Sequence, residues 1–238
     1  MKRFLACAAL AALFGLALPV HSADKPKENP AKEALKELND YIGQWKGNGA
    51  PEKAKPAAKE TWSETINWSW KFKGDDAWIT LEVKDGKYLK SGELRYLPEK
   101  KKYQLKAVDA SDNKLDFQGE LKDGYLTLDR EDDKTKETQR ITMNLAAEGV
   151  RFIYRYSHKP EGKTLFTKDY QVASTKDGES LGATAKKNEC VVSGGLGTIA
   201  VSFKGETFYV CCTGCRDAFN DNPAKIIAEY KKKKAAGG

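Results

Sequence analysis

Residues 62–72 read Trp-Ser-Glu-Thr-Ile-Asn-Trp-Ser-Trp-Lys-Phe, and large apolar residues occupy every second position from Ile66 onward. Trp62 and Glu64 share this parity, while Ser, Thr, Asn and Lys occupy the other. Side chains of a β-strand alternate between its two faces. The pattern therefore predicts a strand with one buried face and one solvated face.

The same alternation recurs along the middle of the chain, and turn signals separate the runs. Apolar residues share one parity at Leu115, Phe117 and Leu121, at Ile141, Met143 and Leu145, and at Val150, Phe152, Tyr154 and Tyr156. Turn-forming residues fall between the runs at Asp85-Gly86, Pro98, Asp123-Gly124, Glu148-Gly149 and Glu161-Gly162. Asp-Gly is a strong hairpin marker. We expect eight to ten antiparallel strands, and a closed barrel because closure removes exposed strand edges.

The segment before these strands points to one group of barrels. A short amphipathic helix is expected at 33–38, and Gly43-x-Trp45 follows it. This order, helix, Gly-x-Trp and meander, resembles the lipocalin-like barrels over residues 33–173. The resemblance implies an up-and-down barrel with a cavity for an apolar small ligand. Inward Trp and Tyr side chains would either line such a cavity or fill the interior, and the pattern is consistent with both.

The first 23 residues have the pattern of a secretory signal peptide. Lys2 and Arg3 precede an apolar run over 4–18, and small residues at 20–23 offer a cleavage site. The run is shorter than the roughly 20 residues that span a bilayer, so no transmembrane segment is expected. Cys7 is expected to be removed with this peptide. The sequence predicts a periplasmic or secreted protein, in which thiols persist only when a metal or a disulfide holds them.

Composition divides the remaining chain into two folded domains. Residues 48–60 are rich in Ala, Lys and Pro, which predicts a mobile loop. Residues 174–187 are mostly polar and are interpreted as a linker. The linker joins the barrel domain, 33–173, to a small domain at 188–231. Residues 232–238 are expected to form a flexible tail.

Four of the five cysteines lie close together near the C-terminus. Cys190 precedes two short alternating segments joined by a Lys-Gly turn, and Cys211, Cys212 and Cys215 follow at the start of a predicted helix. Because a hairpin brings its two ends together, Cys190 is expected to meet Cys211 and Cys215. A helix N-terminus favours the thiolate form that a soft metal requires. A unit of this size often needs a metal or a disulfide to stay folded.

The cysteine segment resembles the TRASH and YHS metal-binding domains over residues 188–231. Residues 190–194 read Cys-Val-Val-Ser-Gly, residues 205–215 read Gly-Glu-Thr-Phe-Tyr-Val-Cys-Cys-Thr-Gly-Cys, and Phe219 and Asn222-Pro223 follow. Val191 stands where those families usually have proline. The resemblance implies a small treble-clef-like knuckle built from a β-hairpin and a helix. Such knuckles occur in proteins of heavy-metal handling or sensing.

These positions indicate the metal ligands. Cys190, Cys211 and Cys215 are the predicted thiolate ligands, and Cys212 is either a fourth ligand or a spare. Three sulfurs suit Cu(I), or Zn(II) when Cys212, water or an acid supplies a fourth ligand. The sequence therefore predicts an exported protein that binds a metal ion for handling or sensing.

Two other functions remain open. Cys212 and Cys215 form a Cys-x-x-Cys at a helix start, which is also the arrangement of a redox-active dithiol. A thioredoxin-like protein would have a βαβ context, whereas a hairpin is expected here. The barrel could instead carry a small ligand, with a metal that only holds the C-terminal domain together.

Charge and histidine content argue against two further classes. Outside the signal peptide the chain has a single histidine, His158, so a Ser/His/Asp triad is not expected. The carboxylate clusters lie in polar turns, and we expect a binding protein rather than an enzyme. The formal net charge is +7, but lysines alternate with acidic residues along the chain. A nucleic-acid partner is not expected, because such proteins concentrate positive charge on one face.

Overall fold

A computed structural model describes residues 29–53, 57–178 and 188–236. The predicted signal peptide and most of the predicted linker lie outside these residues. Within them, no helix is both long enough and apolar enough to cross a membrane.

Ten antiparallel strands form a closed up-and-down barrel in which sequence neighbours pair and the first strand pairs with the last. The expected mainly β barrel is therefore confirmed. Its strands are β1 (Gly43–Pro51), β2 (Trp62–Lys73), β3 (Asp76–Lys84), β4 (Leu89–Leu97), β5 (Lys102–Asp109), β6 (Lys114–Lys122), β7 (Tyr125–Glu131), β8 (Thr138–Ala146), β9 (Arg151–Lys159) and β10 (Thr167–Lys176).

The alternation in β2 has the predicted orientation. Ile66, Trp68 and Trp70 are buried, and Glu64 is buried with them. In the other strands, too, the alternating apolar residues are buried. Together they form one apolar core that fills the inside of the barrel. Phe152 lies in its middle, with ring centroids 5.1 Å from Tyr41, 5.6 Å from Trp45 and 6.0 Å from Trp68. This packing favours a filled interior, while a ligand in the barrel remains a prediction.

The predicted turns fall between strands. The clearest is the two-residue Asp123-Gly124 connection, where both residues have positive φ, +52° and +79°. Positive φ at both central residues defines the type I′ turn, whose twist matches that of a hairpin. Of the three remaining hairpin connections, 74–75 and 132–137 adjoin the carboxylate clusters that were expected in polar turns, whereas 110–113 had no predicted turn signal.

The first helix, α1 (Pro30–Lys36), begins before the predicted segment, because Asn29 caps it and Pro30 occupies its first turn. A 3₁₀ turn, Asn39–Tyr41, follows. Leu35, Leu38 and Tyr41 are buried in the barrel core. The Tyr103 hydroxyl donates to the Ala34 carbonyl at 2.8 Å. These contacts fix α1 against the barrel.

Several element boundaries differ from those expected. β1 continues to Pro51, so part of the predicted loop at 48–60 pairs with β10 and β2. A 3₁₀ turn occupies Ala58–Glu60. β10 continues to Lys176, so the last barrel strand includes the first residues assigned to the linker. Main-chain pairing explains these differences, because each residue lies opposite a partner strand that satisfies its backbone groups.

The C-terminal unit, residues 188–236, contains one hairpin and two helices. Its hairpin consists of β11 (Ile199–Phe203) and β12 (Glu206–Val210), and its helices are α2 (Thr213–Asp221) and α3 (Pro223–Ala236). α3 continues to Ala236 and so includes most of the residues predicted as a flexible tail. The side chain of Phe219 on α2 is buried, and so is that of Ile227 on α3.

A buried carboxyl group lies in the barrel near the Trp62 end of β2. Glu64 is 3% exposed and accepts hydrogen bonds from Trp62 Nε1 at 2.6 Å and from the Tyr154 hydroxyl at 2.8 Å. Burial raises the pKa of Glu64 above its ordinary value, although both hydrogen bonds lower it. The charged carboxylate is therefore less favourable in the folded protein than in the unfolded chain.

We expect this group to make the protein less stable as the pH rises. Between the ordinary and the raised pKa of Glu64, the folded protein binds more protons than the unfolded chain, so the free energy of unfolding falls with increasing pH. In Glu64→Gln this contribution is absent, so the variant gains stability relative to the wild type as the pH rises from acid to neutral. Chemical denaturation across this range measures the difference. Glu82→Gln, at an exposed position on β3, is the control, and a wild-type slope equal to that of Glu64→Gln would contradict the assignment.

Candidate metal centre

Cys190 is placed by the edge of the C-terminal hairpin. The residue forms a parallel bridge with Tyr209 of β12, and Val191 N–H donates to the Tyr209 carbonyl at 3.0 Å. Tyr209 is two residues before Cys211 in the chain. The bridge therefore brings the first cysteine beside the end of the hairpin.

The other cysteines lie where β12 ends and α2 begins. Cys211 follows the last residue of β12, and Cys212 is the N-cap of α2 with extended backbone geometry. Cys215 lies in the first turn of α2, and the Thr198 hydroxyl donates to the Cys211 carbonyl at 3.4 Å. A strand, a tight corner and one helical turn thus direct three sulfurs toward each other.

The sulfur atoms of Cys190, Cys211 and Cys215 all lie within 4.8 Å of one another. Cys211 Sγ and Cys215 Sγ are 3.5 Å apart, and all three side chains are buried. The four cysteines of the described residues are free thiols. Converging soft sulfurs in a buried site are the donor set that binds Cu(I) and Zn(II).

Hydrogen bonds within the group separate the acidities of its thiols. The Cys211 and Cys215 thiols donate to Cys190 and lower the pKa of Cys190 to about 2, and the Ser193 N–H also faces this sulfur, at 3.5 Å. The same contacts raise the pKa of Cys211 and of Cys215. Cys190 is therefore the most acidic thiol of the three, and a metal ion bound here would displace the protons that the group carries.

Cys212 is outside this group of three sulfurs. Its Sγ accepts a hydrogen bond from the Trp70 backbone N–H of β2 at 3.3 Å. Hydrogen bonds from Cys211 and Cys215 lower the pKa of Cys212 to about 3, and the Trp70 N–H contributes in the same direction. The sequence left open whether Cys212 is a ligand or a spare. The structure places its sulfur at the contact between the C-terminal unit and the barrel.

Two further contacts join the cysteine centre to the barrel. A Cβ atom at Gly214 would lie 1.6 Å from the Trp70 carbonyl oxygen, so only glycine permits this approach of α2 to β2. Asn39 donates through Nδ2 to the Ser193 carbonyl at 2.9 Å and accepts through Oδ1 from Trp70 Nε1 at 3.1 Å. Asn39 thereby links the loop that carries Cys190 to β2 and to the 3₁₀ turn that follows α1.

Sequence reasoning identified the cysteines but missed the residues that position them. Ser193 is 3% exposed, and its hydroxyl lies 3.4 Å from Cys211 Sγ. Its place in the Cys-Val-Val-Ser-Gly segment was the available signal. Asn39 and Trp70 carried none, since their partners lie far away in the sequence.

His158, the single histidine outside the predicted signal peptide, lies near the end of β9 with Nδ1 at 2.8 Å from the Asp169 carboxylate. Thr167, in β10, is its partner across the strand pair. The residue lies in the barrel wall and is not among the residues of the cysteine group.

Comparison with known proteins adds no family assignment. Neither a scan against protein-family models nor a search of curated proteins finds a match to this chain. The resemblance to TRASH and YHS domains therefore stays a prediction that rests on the residues of the motif.

Replacing Gly214 by alanine tests the contact between α2 and β2. Helix propensity alone predicts that Gly214→Ala stabilises the protein by about 1 kcal/mol. The overlap with the Trp70 carbonyl predicts the opposite sign, a loss of about 3 kcal/mol in the free energy of unfolding. Chemical denaturation gives the sign directly. Thr213→Ala, at the exposed neighbouring position, should change it by no more than about 0.5 kcal/mol; a stabilised Gly214→Ala protein would rule out the close approach.

Proposed function

We propose that this protein binds a soft metal ion through the thiolates of Cys190, Cys211 and Cys215 and handles or senses that ion outside the cytoplasm. The observation that carries the proposal is the convergence of three buried sulfurs within 4.8 Å. The pattern of residues 1–23 supports the location. The three cysteines come from both ends of a hairpin, so binding also links these two ends.

Among soft ions, the donor set favours Cu(I). Zinc in a structural site takes four ligands in almost every case, whereas three soft sulfurs satisfy Cu(I). The sulfur of Cys212 already accepts the Trp70 N–H and does not complete a group of four. Zn(II) with water or an acid as fourth ligand is the second candidate.

A thiol-disulfide function has one observation in its favour. Cys211 Sγ and Cys215 Sγ are 3.5 Å apart, and the pKa of Cys212 is lowered to about 3, as in reactive thiols. Disulfide exchange, however, requires an attacking thiolate that reaches a partner's sulfur. Cys212 is 5% exposed and Cys215 is 0% exposed. Burial therefore favours metal binding over exchange.

The remaining alternative is a ligand-carrying barrel with a metal that only holds the C-terminal unit together. Close aromatic packing around Phe152 disfavours the carrier part of this alternative. A purely structural metal would exchange slowly, because its release would require residues 188–236 to unfold. Metal exchange that is faster than unfolding of this unit supports handling or sensing instead.

Single cysteine substitutions separate these functions. In Cys190→Ser, Cys211→Ser and Cys215→Ser, the affinity for Cu(I) should fall at least about a hundredfold, since even loss of a residue that only orients a ligand costs 10–100-fold. In Cys212→Ser it should change by less than about tenfold, because the serine hydroxyl still accepts the Trp70 N–H. Competition with a coloured Cu(I) chelator under anaerobic conditions measures each affinity.

Elemental analysis and thiol titration of protein purified anaerobically complete this test. We expect one metal ion per chain and four titratable thiols once the metal is removed from the mature protein. Unchanged metal content in Cys211→Ser would overturn the proposal. Complete oxidation of fresh metal-free protein, together with loss of disulfide exchange in Cys212→Ser, would favour the redox function.

A further inference from the structure

One buried polar side chain lies against the candidate ligands without being a cysteine. Ser193 is 3% exposed, and its hydroxyl lies 3.4 Å from Cys211 Sγ. The same hydroxyl also faces the sulfur of Cys190. The Ser193 backbone N–H lies 3.5 Å from Cys190 Sγ. Ser193 therefore brings two polar groups against two of the three sulfurs.

The loop around Ser193 holds these groups in place. Cys190 N–H donates to the Gly195 carbonyl at 2.7 Å, and Gly194 N–H donates to the Cys190 carbonyl at 2.8 Å. The Ser193 carbonyl accepts from Asn39 Nδ2 at 2.9 Å. A Cβ atom at Gly195 would lie 2.9 Å from Asn39 Cβ, so the loop packs closely on Asn39. The Ser193 hydroxyl is thus positioned by contacts that do not involve a metal ion.

Hydrogen bonding determines the role of the hydroxyl. The Gly195 N–H donates to Ser193 Oγ at 3.4 Å and occupies one of its lone pairs. A serine hydroxyl has one proton to donate. A thiolate accepts hydrogen bonds and has no proton of its own to donate. Once Cys190 and Cys211 are thiolates, the Ser193 proton is therefore donated to sulfur.

A metal ion bound to three thiolates leaves negative charge in a buried place. The three candidate ligands carry three negative charges as thiolates, so the bound group keeps two with Cu(I) and one with Zn(II). Buried charge is costly unless hydrogen bonds compensate it. Hydrogen bonds to an ionised acceptor are the strong ones, and the N–H and O–H of Ser193 supply two such donors. Ser193 therefore gives its larger stabilisation to the Cu(I) state.

The same hydroxyl is a poor fourth ligand for zinc. Zn(II) in proteins is bound by cysteine, histidine and carboxylate side chains, and structural sites hold four of them. A neutral hydroxyl is not one of these ligands. Among the residues that the structure describes, the group of candidate ligands at this place contains cysteines alone. A cysteine in place of Ser193 would offer a fourth sulfur.

We propose that Ser193 determines the metal specificity of this centre: it donates to the thiolates and keeps the number of protein sulfurs at three, which favours Cu(I) over Zn(II). This inference rests on the proposed function and adds a basis for the choice among soft ions. Ser193 does not bind the metal. It is a positioning residue that acts through Cys190 and Cys211.

Replacing Ser193 by cysteine tests the specificity. The two side chains differ by one atom, so Ser193→Cys offers a fourth sulfur with little change in shape. The affinity for Zn(II) should rise at least about tenfold, while the affinity for Cu(I) should not rise, because three sulfurs already satisfy that ion. Anaerobic competition with a chelator for each ion measures both affinities. Ser202→Cys adds a thiol at an exposed position of β11 and, as the matched control, should leave both unchanged.

The spectrum of a bound metal counts the sulfurs independently of affinity. Cd(II) takes the same kinds of ligand as Zn(II) and absorbs in the ultraviolet through each thiolate that it binds. The absorbance per bound Cd(II) should be about a third higher in Ser193→Cys than in the wild type, because four thiolates replace three. A merely structural role of Ser193 would not raise this absorbance.

Replacing Ser193 by alanine tests the hydrogen bond. Alanine keeps the backbone N–H and removes the hydroxyl, so the affinity for Cu(I) should fall about tenfold, the lower end of the effect of residues that only orient a ligand. The affinity for Zn(II) should fall less, because the group with bound Zn(II) carries less negative charge. Ser202→Ala, at the exposed position on β11, should change neither affinity.

The outcomes separate this inference from the proposed function. If the wild type binds Cu(I) but Zn(II) affinity and Cd(II) absorbance are the same in Ser193→Cys, the role of Ser193 is overturned and the proposed function stands. Equal losses of Cu(I) and Zn(II) affinity in Ser193→Ala would also overturn this role, since the specificity would be unaffected. A wild-type protein that binds no Cu(I) would overturn both proposals.

Discussion

The edge of β2 beyond Trp68 is the constraint on which the arrangement of this molecule depends. β1 begins at Gly43, opposite Trp68, so the rest of β2 has no partner on that side. An unpaired backbone group that is buried is costly, and an exposed one invites association with other chains. Here the Trp70 N–H donates to Cys212 Sγ, and Gly214 packs on the Trp70 carbonyl. These two contacts of the Trp70 backbone fix the position of α2, and with it the position of Cys215.

This constraint divides the four cysteines into two roles. The sulfur of Cys212 satisfies the barrel edge, and the other three sulfurs face one another. Asn39 adds a second connection, since it bonds both Trp70 and the loop of Cys190. The cysteine centre and the barrel therefore share their supporting contacts. A change in the positions of the three sulfurs would therefore also shift Trp70, because Asn39 hydrogen-bonds to both Trp70 and the loop of Cys190.

Local patterns predicted most of the fold, and long-range contacts explain what they missed. The alternation in residues 62–72 identified the buried face of β2, and the hairpin between Cys190 and Cys211 predicted that these cysteines meet. The contact between Trp70 and Cys212 joins residues 142 positions apart, and neither has a local signature for it. The lysine run in α3 was expected to be solvated tail, but lysine is a good helix former and buried Ile227 anchors the helix.

The path of α3 has a practical consequence for handling the protein. The helix returns along a cavity beside Cys190 and reaches Ala236, close to the end of the chain. A peptide fused at the C-terminus would therefore follow a helix whose Lys233 and Lys234 line the same cavity as Cys190. An oligohistidine tag placed there would add imidazole ligands that compete with the thiolates for the same ions. Metal content measured on such a fusion would describe the tag as much as the protein, so purification without C-terminal histidines is the appropriate preparation.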